Sequence, residues 1–413
     1  MLDNGKAEGV RKIKRFEKYC LKDIATVSQG FTFSRLYQGK KNLKWNYFKV
    51  ADIGLNPNSK YLTNAINTIS DITMEEIGVL PFPKGSTVFP RVGAALFNNN
   101  KKILAQDGMV DDNVLVLTVT DTSKCWHEFL YYYLQGIPLA KWCNSGLVPV
   151  INTKTVLSQM VFLPPLPEQQ KIATILSTQD KVIELKEKLL VQKQQQKKYL
   201  MQQLLTGKKR LPGFGGEWKT IHLNEISCRI ETKNTVGNNN VLTISAQYGL
   251  INQTEFFDKV IASDNKSNYY LLSKDEFAYN RSYSKGYPYG TIKRLKRYVQ
   301  GVVSPLYICF AVNKKLASLD FLEQYFEASI INREIQSIVQ EGARNHGMLN
   351  VAVDDFFRIK ITMPEIEEQK EIAKILSTAD HEIDLLQKSI EAEKQKKKAL
   401  MQLLLTGKVR VKI

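Results

Sequence analysis

Pro164–Arg210 reads PPLPEQQKIATILSTQDKVIELKEKLLVQKQQQKKYLMQQLLTGKKR, and Pro364–Arg410 reads PEIEEQKEIAKILSTADHEIDLLQKSIEAEKQKKKALMQLLLTGKVR. The two stretches align without a gap at an offset of 200 residues, and about half of their positions match. The matches include Glu168/Glu368, Gln169/Gln369, Ile172/Ile372, Ala173/Ala373 and the LLTGK tails ending at Lys208 and Lys408. Chance does not produce such a pair, so the chain is a variable segment followed by a shared segment, written twice.

Each shared segment predicts one long helix. Proline marks its start, Gly207 and Gly407 mark its stop, and the stretch between is rich in Leu, Lys, Gln and Glu. Apolar residues recur at every seventh position: Leu176, Ile183, Leu190 and Leu204 in the first copy, Leu376, Ile383, Ile390 and Leu404 in the second. The skipped seventh is a lysine in both, Lys197 and Lys397. This is a coiled-coil seam with a polar interruption. At about 1.5 Å per residue each helix is about 60 Å long, too long to bury inside one small domain. Laying the two helices against each other is the simplest way to cover both stripes; two helices that each seek another protein are the alternative.

The variable segments run from about Phe16 to Leu163 and from about Trp218 to Met363. Both mix strand-like runs (DNVLVLTVT, GVVSPLYICFAV) with a later helix-like stretch (HEFLYYYLQG, DFLEQYFEASIINREIQSIV), which suits an α/β or α+β domain of ordinary size. The breakers of KKRLPGFGGEWK form a linker. The expected division is residues 1–163 and 211–363 as two globular domains, with 164–210 and 364–413 as the two long helices.

The 413 residues carry 58 Lys plus Arg against 41 Asp plus Glu, a formal charge of +17. The surplus is spread over the whole chain rather than gathered in a tail, which favours a shaped surface for a polyanion over a floppy anchor. In the second variable segment, YNRSYSKGYPYGTIKRLKRY (Tyr279–Tyr298) holds six basic residues and five tyrosines without an acid. Such interleaving suits a loop that grips phosphates and stacks on bases. It also suits a solvated strand-turn-strand with ordinary core tyrosines.

Several function classes find no support in the motifs. The four histidines are scattered, and no HExxH, GxSxG elbow, phosphate loop or GxGxxG before a helix occurs. Asp111-Asp112-Asn113 reads as a turn rather than a nuclease centre. No apolar run approaches the ~20 residues of a membrane span, and the first fifteen residues have no apolar region typical of a secretory signal. The five separated cysteines suit reduced thiols in the cytoplasm.

FPRVGAAL with MVDDNVLVL, SGLVPVINTKTVLSQMVFLPPLPEQQKIATIL, KRLPGFGGEWK, YNRSYSKGYPYGTIKRLKRYVQGVVSPLYICF and GARNHGMLNVAVDDFFRIKITMPEIEEQKEIAKIL together resemble the DNA specificity subunits of type I restriction–modification systems. The resemblance covers the chain from about Phe16 onward. It implies two target-recognition domains, each reading half of a split, asymmetric DNA sequence, with the two conserved helices pairing antiparallel and holding them apart. It implies no catalysis in this chain and no cofactor of its own. Modification subunits would bring S-adenosylmethionine, and a restriction subunit would bring ATP and Mg2+.

Candidate DNA contacts, taken from the loops, are Arg91, Lys101, Lys102, Asn152 and Lys154 in the first domain. In the second they are Arg281, Tyr283, Lys285, Tyr287, Lys293, Arg294, Arg344 and Asn345. Arg and Lys match guanine edges and Asn matches adenine; others in the set would touch phosphate alone. Glu168, Gln169, Ile172, Glu368, Gln369 and Ile372 are the expected docking face for modification subunits, because that contact must be the same for every target. A coiled-coil scaffold with incidental charge, and a self-sufficient nuclease or methyltransferase, are the competing readings.

Overall fold

The computed structural model describes residues 16–32, 34–55, 59–144, 146, 148–245, 248–257, 266–283, 286–339 and 348–412. Its two long helices span Leu166–Leu204 and Ile366–Leu404, 39 residues each. They end as the sequence predicts, with Gly207 and Gly407 in the left-handed region at φ 68° and 72°. A side chain there is strained, and a Cβ on Gly407 would also press on the Phe16 ring at 3.1 Å.

The chain divides into two compact units, Met1–Lys188 with Gln387–Ile413, and Leu189–Leu386. The division cuts through both long helices, because each half-helix packs against a different variable segment. The repeat alone would make each helix a piece of its own.

In the first unit, strand Glu17–Cys20 pairs antiparallel with Met160–Leu163, so the variable segment is clasped at its own two ends. Between them lies a five-stranded sheet in the order Ala25–Gln29, Val114–Val119, Thr87–Pro90, Lys102–Leu104, Tyr61–Leu62. Asn67–Ile69, Trp45–Phe48 and Met109–Val110 form a three-stranded sheet beside it in the chain. Helix His127–Gln135 buries Phe129, Leu130, Tyr132 and Leu134 in the same core as Ile172, Ala173, Leu176, Leu404 and Leu405 of the long helices. Burying a side chain of this size is worth roughly 1.5–3 kcal/mol, so the helix ends are part of the domain core rather than an appendage.

The second unit repeats the plan with different side chains. Lys219–His222 pairs with Lys360–Met363 to clasp the segment. A four-stranded sheet runs Ser227–Arg229, Ile308–Val312, Phe277–Asn280, Thr291–Arg294, and two antiparallel pairs join Leu242–Ser245 to Gly249–Asn252 and Tyr270–Ser273 to Gln300–Val303. The long apolar stretch DFLEQYFEASIINREIQSIV forms two helices, Leu319–Glu327 and Asn332–Ile338, because Ser329 turns the chain at φ 57°. Its core joins Phe277, Phe310, Phe321 and Phe356 to Leu204, Leu205, Ile372, Ala373 and Leu376.

Within each unit the half-helices run in opposite directions. In the first, Gln179 meets Glu393 (2.7 Å), Lys186 meets Ser389 (2.7 Å), and Asp180 meets Lys397 (2.5 Å). In the second, Lys193 meets Glu382 (2.7 Å) and Lys197 meets Asp380 (2.5 Å). The lysines that interrupt the heptads are therefore matched by aspartates of the other helix, an arrangement that favours one register over its neighbours. Each aspartate is also held by its own unit: Tyr132 donates to Asp180 (2.6 Å) and Gln324 to Asp380 (2.7 Å).

Candidate nucleic-acid interface

The first unit gathers two of the residues expected to meet DNA, Arg91 and Asn152, around one cleft of about 380 Å³. Arg91 follows strand Thr87–Pro90, and its backbone is pinned on both sides: its N–H donates to the Asn113 carbonyl (2.8 Å) and its carbonyl accepts from Ile151 (2.9 Å). Asn152 caps helix Thr153–Leu157, its Oδ1 accepting the Lys154 N–H at 3.0 Å. Lys154 is exposed on the first turn of that helix. The cleft also takes in Gln29, Lys141, Trp142 and Asn144. Trp142 packs on Phe89 (ring centroids 5.9 Å apart), and its buried Nε1–H has no partner among the described residues. Two cations, Arg91 and Lys141, and the amides of Gln29, Asn144 and Asn152 make a concave surface rich in N–H groups, with the Trp142 indole buried behind it. Its complement is a ligand rich in acceptor oxygens and ring nitrogens, as phosphates and purine edges are.

Sequence reasoning passed over Lys141, Trp142 and Asn144. The signal was present in the run KWCNSG, a basic–aromatic pair before a polar turn, but it was too short to stand out beside the Tyr279–Tyr298 block.

Lys101 and Lys102 lie in the interior, each about 2% exposed. Burial lowers the Lys101 ammonium to about 7, and burial with the nearby charge of Lys397 lowers Lys102 to about 8. They follow a loop of asparagines in sequence, but Lys102 opens strand Lys102–Leu104 inside the five-stranded sheet, and Lys101 turns inward onto Asn99 Oδ1 and the Ile137 carbonyl.

The second unit treats its basic block in three ways. Arg281 is spent on backbone: it donates to the Leu306 carbonyl (3.2 and 2.9 Å) and the Val351 carbonyl (2.9 Å), tying together three distant stretches of the chain. Lys293 and Arg294 belong to strand Thr291–Arg294, are buried, and face carboxylates, Lys293 on Glu327 and Arg294 on Asp320 (2.6 Å) and Glu323 (3.0 Å). Tyr283 is 63% exposed and Tyr287 is half-buried, whereas Tyr279 is a core residue stacked on Phe356. Among the described residues, the exposed cations of this block are Lys296 and Arg297, paired at the surface with Glu323 and Glu255 at 3.2 Å each. Lys285, Arg344 and Asn345 fall outside the described residues.

The six residues expected to form a docking face are all interior, none more than 2% exposed. Ile172 and Ile372 pack in the two domain cores. Gln169 accepts from the Trp126 N–H (2.8 Å) and donates to the Pro164 carbonyl (2.8 Å); Gln369 does the same with Ser318 and Pro364, at the same two distances. Glu168 receives Arg410 through Nε (2.8 Å) and Nη2 (2.5 Å), and Glu368 receives Arg210 (2.8 and 2.7 Å). Burial alone would raise the Glu168 carboxyl, yet the hydrogen bonds and charge of Arg410 hold it below the usual range. These residues recur because they seat each helix on its domain, so they offer no open surface to a partner.

Asp111-Asp112-Asn113 is a turn, with the Asn113 N–H and side-chain amide on Asp111 Oδ1 at 3.0 and 2.9 Å. Among the described residues no group of three or more His, Cys, Asp and Glu is placed to hold a metal, and no helix is long and apolar enough to cross a membrane.

A family model described as the type I restriction modification DNA specificity domain matches residues 13–195 and 216–394. The chain is 25% identical over 302 residues to the type I restriction enzyme MjaVIII specificity subunit of Methanocaldococcus jannaschii, covering 64% of this chain and 65% of that protein, just under two thirds of its length. It is 24% identical over 430 residues to the putative type I restriction enzyme MjaX specificity subunit of the same organism, covering 95% and 93%. Among solved structures, it resembles the type I restriction-modification S subunit from M. genitalium (TM-score 0.57, 13% identity, 96% and 97% covered). The HsdS subunit from Thermoanaerobacter tengcongensis gives a TM-score of 0.51 at 14% identity, with 97% and 100% covered. At these identities the structural likeness concerns the fold.

Proposed function

The chain belongs to the family of type I restriction modification DNA specificity domains, and from that premise we propose that it is the address of a larger complex. It is a sequence-specific DNA-recognition subunit and carries no catalysis of its own. One observation supports a bipartite target above the others: the family match falls twice on the chain, once over each variable segment with much of its helix. Because the two variable segments differ almost throughout, the two half-sites are expected to differ, and the target to be asymmetric.

In the first unit, the cleft of Arg91, Lys141, Trp142 and Asn152 is the surface that meets one half-site. In the second, the surface of Tyr283, Tyr287, Lys296 and Arg297 meets the other. Phosphate contacts fix position and base-edge contacts carry discrimination, roughly 1–3 kcal/mol for each good bidentate pair. Modification subunits supply S-adenosylmethionine chemistry, a restriction subunit supplies ATP- and Mg2+-dependent cleavage, and all act in the cytoplasm. A coiled-coil scaffold indifferent to DNA is not favoured by the family match.

Methylome sequencing of a host that expresses this chain with its modification partner tests the reading. Modified bases in one recurrent split, non-palindromic motif are expected, and they disappear when this gene alone is removed. A motif that survives the removal overturns the proposal.

A further inference from the structure

Lys101 is a buried cation without a counter-charge among the described residues. Its ammonium donates to Asn99 Oδ1 (2.7 Å) and the Ile137 carbonyl (2.9 Å), and among the described residues it forms no ion pair. An ammonium carries three protons, so one donor is left over. Three other buried cations of the chain face carboxylates: Lys60 meets Glu128 at 3.3 Å, Arg294 meets Asp320 at 2.6 Å, and Lys293 meets Glu327. Lysine is rarely buried to this extent unless it is paired.

The space around Lys101 is a polar cavity of about 210 Å³ in the first unit, shared with Lys60, Lys394, Lys397 and Asn100. Asp180 is the single carboxylate among the residues that line it, and its oxygens are already taken by Lys397 (2.5 Å) and the Tyr132 hydroxyl (2.6 Å). Behind the lining, Lys60 also meets Glu128 (3.3 Å) and Lys394 meets Glu187 (2.7 Å), so of the four ammonium groups at this cavity Lys101 alone has no carboxylate among the described residues. The volume exceeds several waters at about 30 Å³ each, which leaves room for an oxyanion with part of its hydration. Burial, with no carboxylate of its own to offset it, holds the Lys101 ammonium down at about 7.

We propose that this cavity binds a tetrahedral oxyanion of the phosphate class, held by Lys60 and Lys101 from the domain and by Lys394 and Lys397 from the second long helix. Lysines serve such ligands as point charges; Lys101 brings the charge that no carboxylate offsets among the described residues, and Lys60, Lys394 and Lys397 add donors that they share with Glu128, Glu187 and Asp180. A bound anion joins helix to domain within this unit, a role separate from base reading. Two sources share the chemistry: free inorganic phosphate, and a phosphate of the nucleic-acid backbone.

The test uses the full chain, thermal melting in millimolar inorganic phosphate against chloride at matched ionic strength, and the substitutions Lys101→Gln and Lys394→Gln. Lys394 is 41% exposed and bonded to Glu187 (2.7 Å) at the surface, so its replacement leaves a folded protein even where that of Lys101 does not. Phosphate is expected to raise the wild-type midpoint beyond the chloride control, and Lys394→Gln to lose that excess; this result identifies free phosphate. If wild type shows no excess, binding to a short duplex of unrelated sequence decides. A slope of log affinity against log salt that is shallower by about 0.9 in Lys394→Gln assigns the site to a backbone phosphate. An excess that persists in the variant, or neither an excess nor a change of slope, overturns the proposal. The phosphate arm needs no target sequence, so its failure is distinct from failure of the recognition reading.

Discussion

Arg410 closes on Glu168 through two parallel hydrogen bonds of 2.8 and 2.5 Å, and the Val411 N–H adds a third at 3.1 Å. The tail of the second helix is thereby fastened to the head of the first within one unit. Arg210 and Glu368 repeat the clasp in the other unit, each lying 200 residues from its counterpart. The flanking aromatics are also paralleled, Arg410 lying over Phe16 (5.2 Å) and Arg210 over Trp218 (5.9 Å).

Breaking the first clasp should be costly. Glu168 is 2% exposed, so Arg410→Ala strands a carboxylate in the interior, and a loss of about 3 kcal/mol is expected from denaturant unfolding. The double variant Glu168→Leu with Arg410→Leu should lose less than Arg410→Ala, since it leaves no orphaned charge. A double variant worse than the single one contradicts this account.

The cleft separates affinity from discrimination. Arg91→Ala and Lys141→Ala should weaken binding to every duplex and make the salt slope shallower by about 0.9 for each phosphate no longer neutralised. Asn152→Ala should act on one base position by roughly 1–3 kcal/mol if it reads an edge. Competition with single-base variants of the target, at several salt concentrations, distinguishes the two behaviours.

The recognised spacer is expected to follow helix length. Removing one heptad from each long helix in matched register takes out about 10 Å of rise, equivalent to about 3 base pairs of duplex. Methylation mapping of such a variant should show the same half-sites with a shorter gap, or no methylation at all. An unaltered gap contradicts a ruler built from these helices.

Lys101 makes stability depend on pH in a defined direction. Its folded value is about 7 against 10.5 for the free side chain. Between those values the unfolded chain holds a proton that the folded chain has released, so this group's contribution to stability rises with pH across that window. Above 10.5 the gain is complete; below about 7 both states are charged and it is gone. The charged groups around it are Lys60, Lys394, Lys397 and Asp180. In phosphate-free buffer, urea unfolding at about pH 7 and about pH 9 should show a larger increase for wild type than for Lys101→Gln. Equal increases contradict the burial argument.

The frame of the molecule was legible because it is periodic. Leu176, Ile183, Leu376 and Ile390 are buried as the sevenfold pattern expects, Lys197 and Lys397 sit where the seventh position fails, and Gly207 and Gly407 stop the helices. The site was harder to read, because charge in a sequence does not say which way it points. Lys293 and Arg294 have the pattern of phosphate grips, but strand Thr291–Arg294 turns them onto Glu327, Asp320 and Glu323. Glu168 and Gln169 suggest a shared docking face because they recur, but they recur as joints. Their partners Arg410 and Trp126 lie 242 and 43 residues away, beyond the reach of local pattern.

The paired strands at the ends of each variable segment set Glu17 against Leu163 and Lys219 against Met363. Chain therefore enters and leaves each segment side by side, a few residues before its long helix begins. Insertions or exchanges between the two strands alter neither where that helix starts nor its rotational phase. The reading surface is free to diverge at its own pace while the frame beneath it stays in tune.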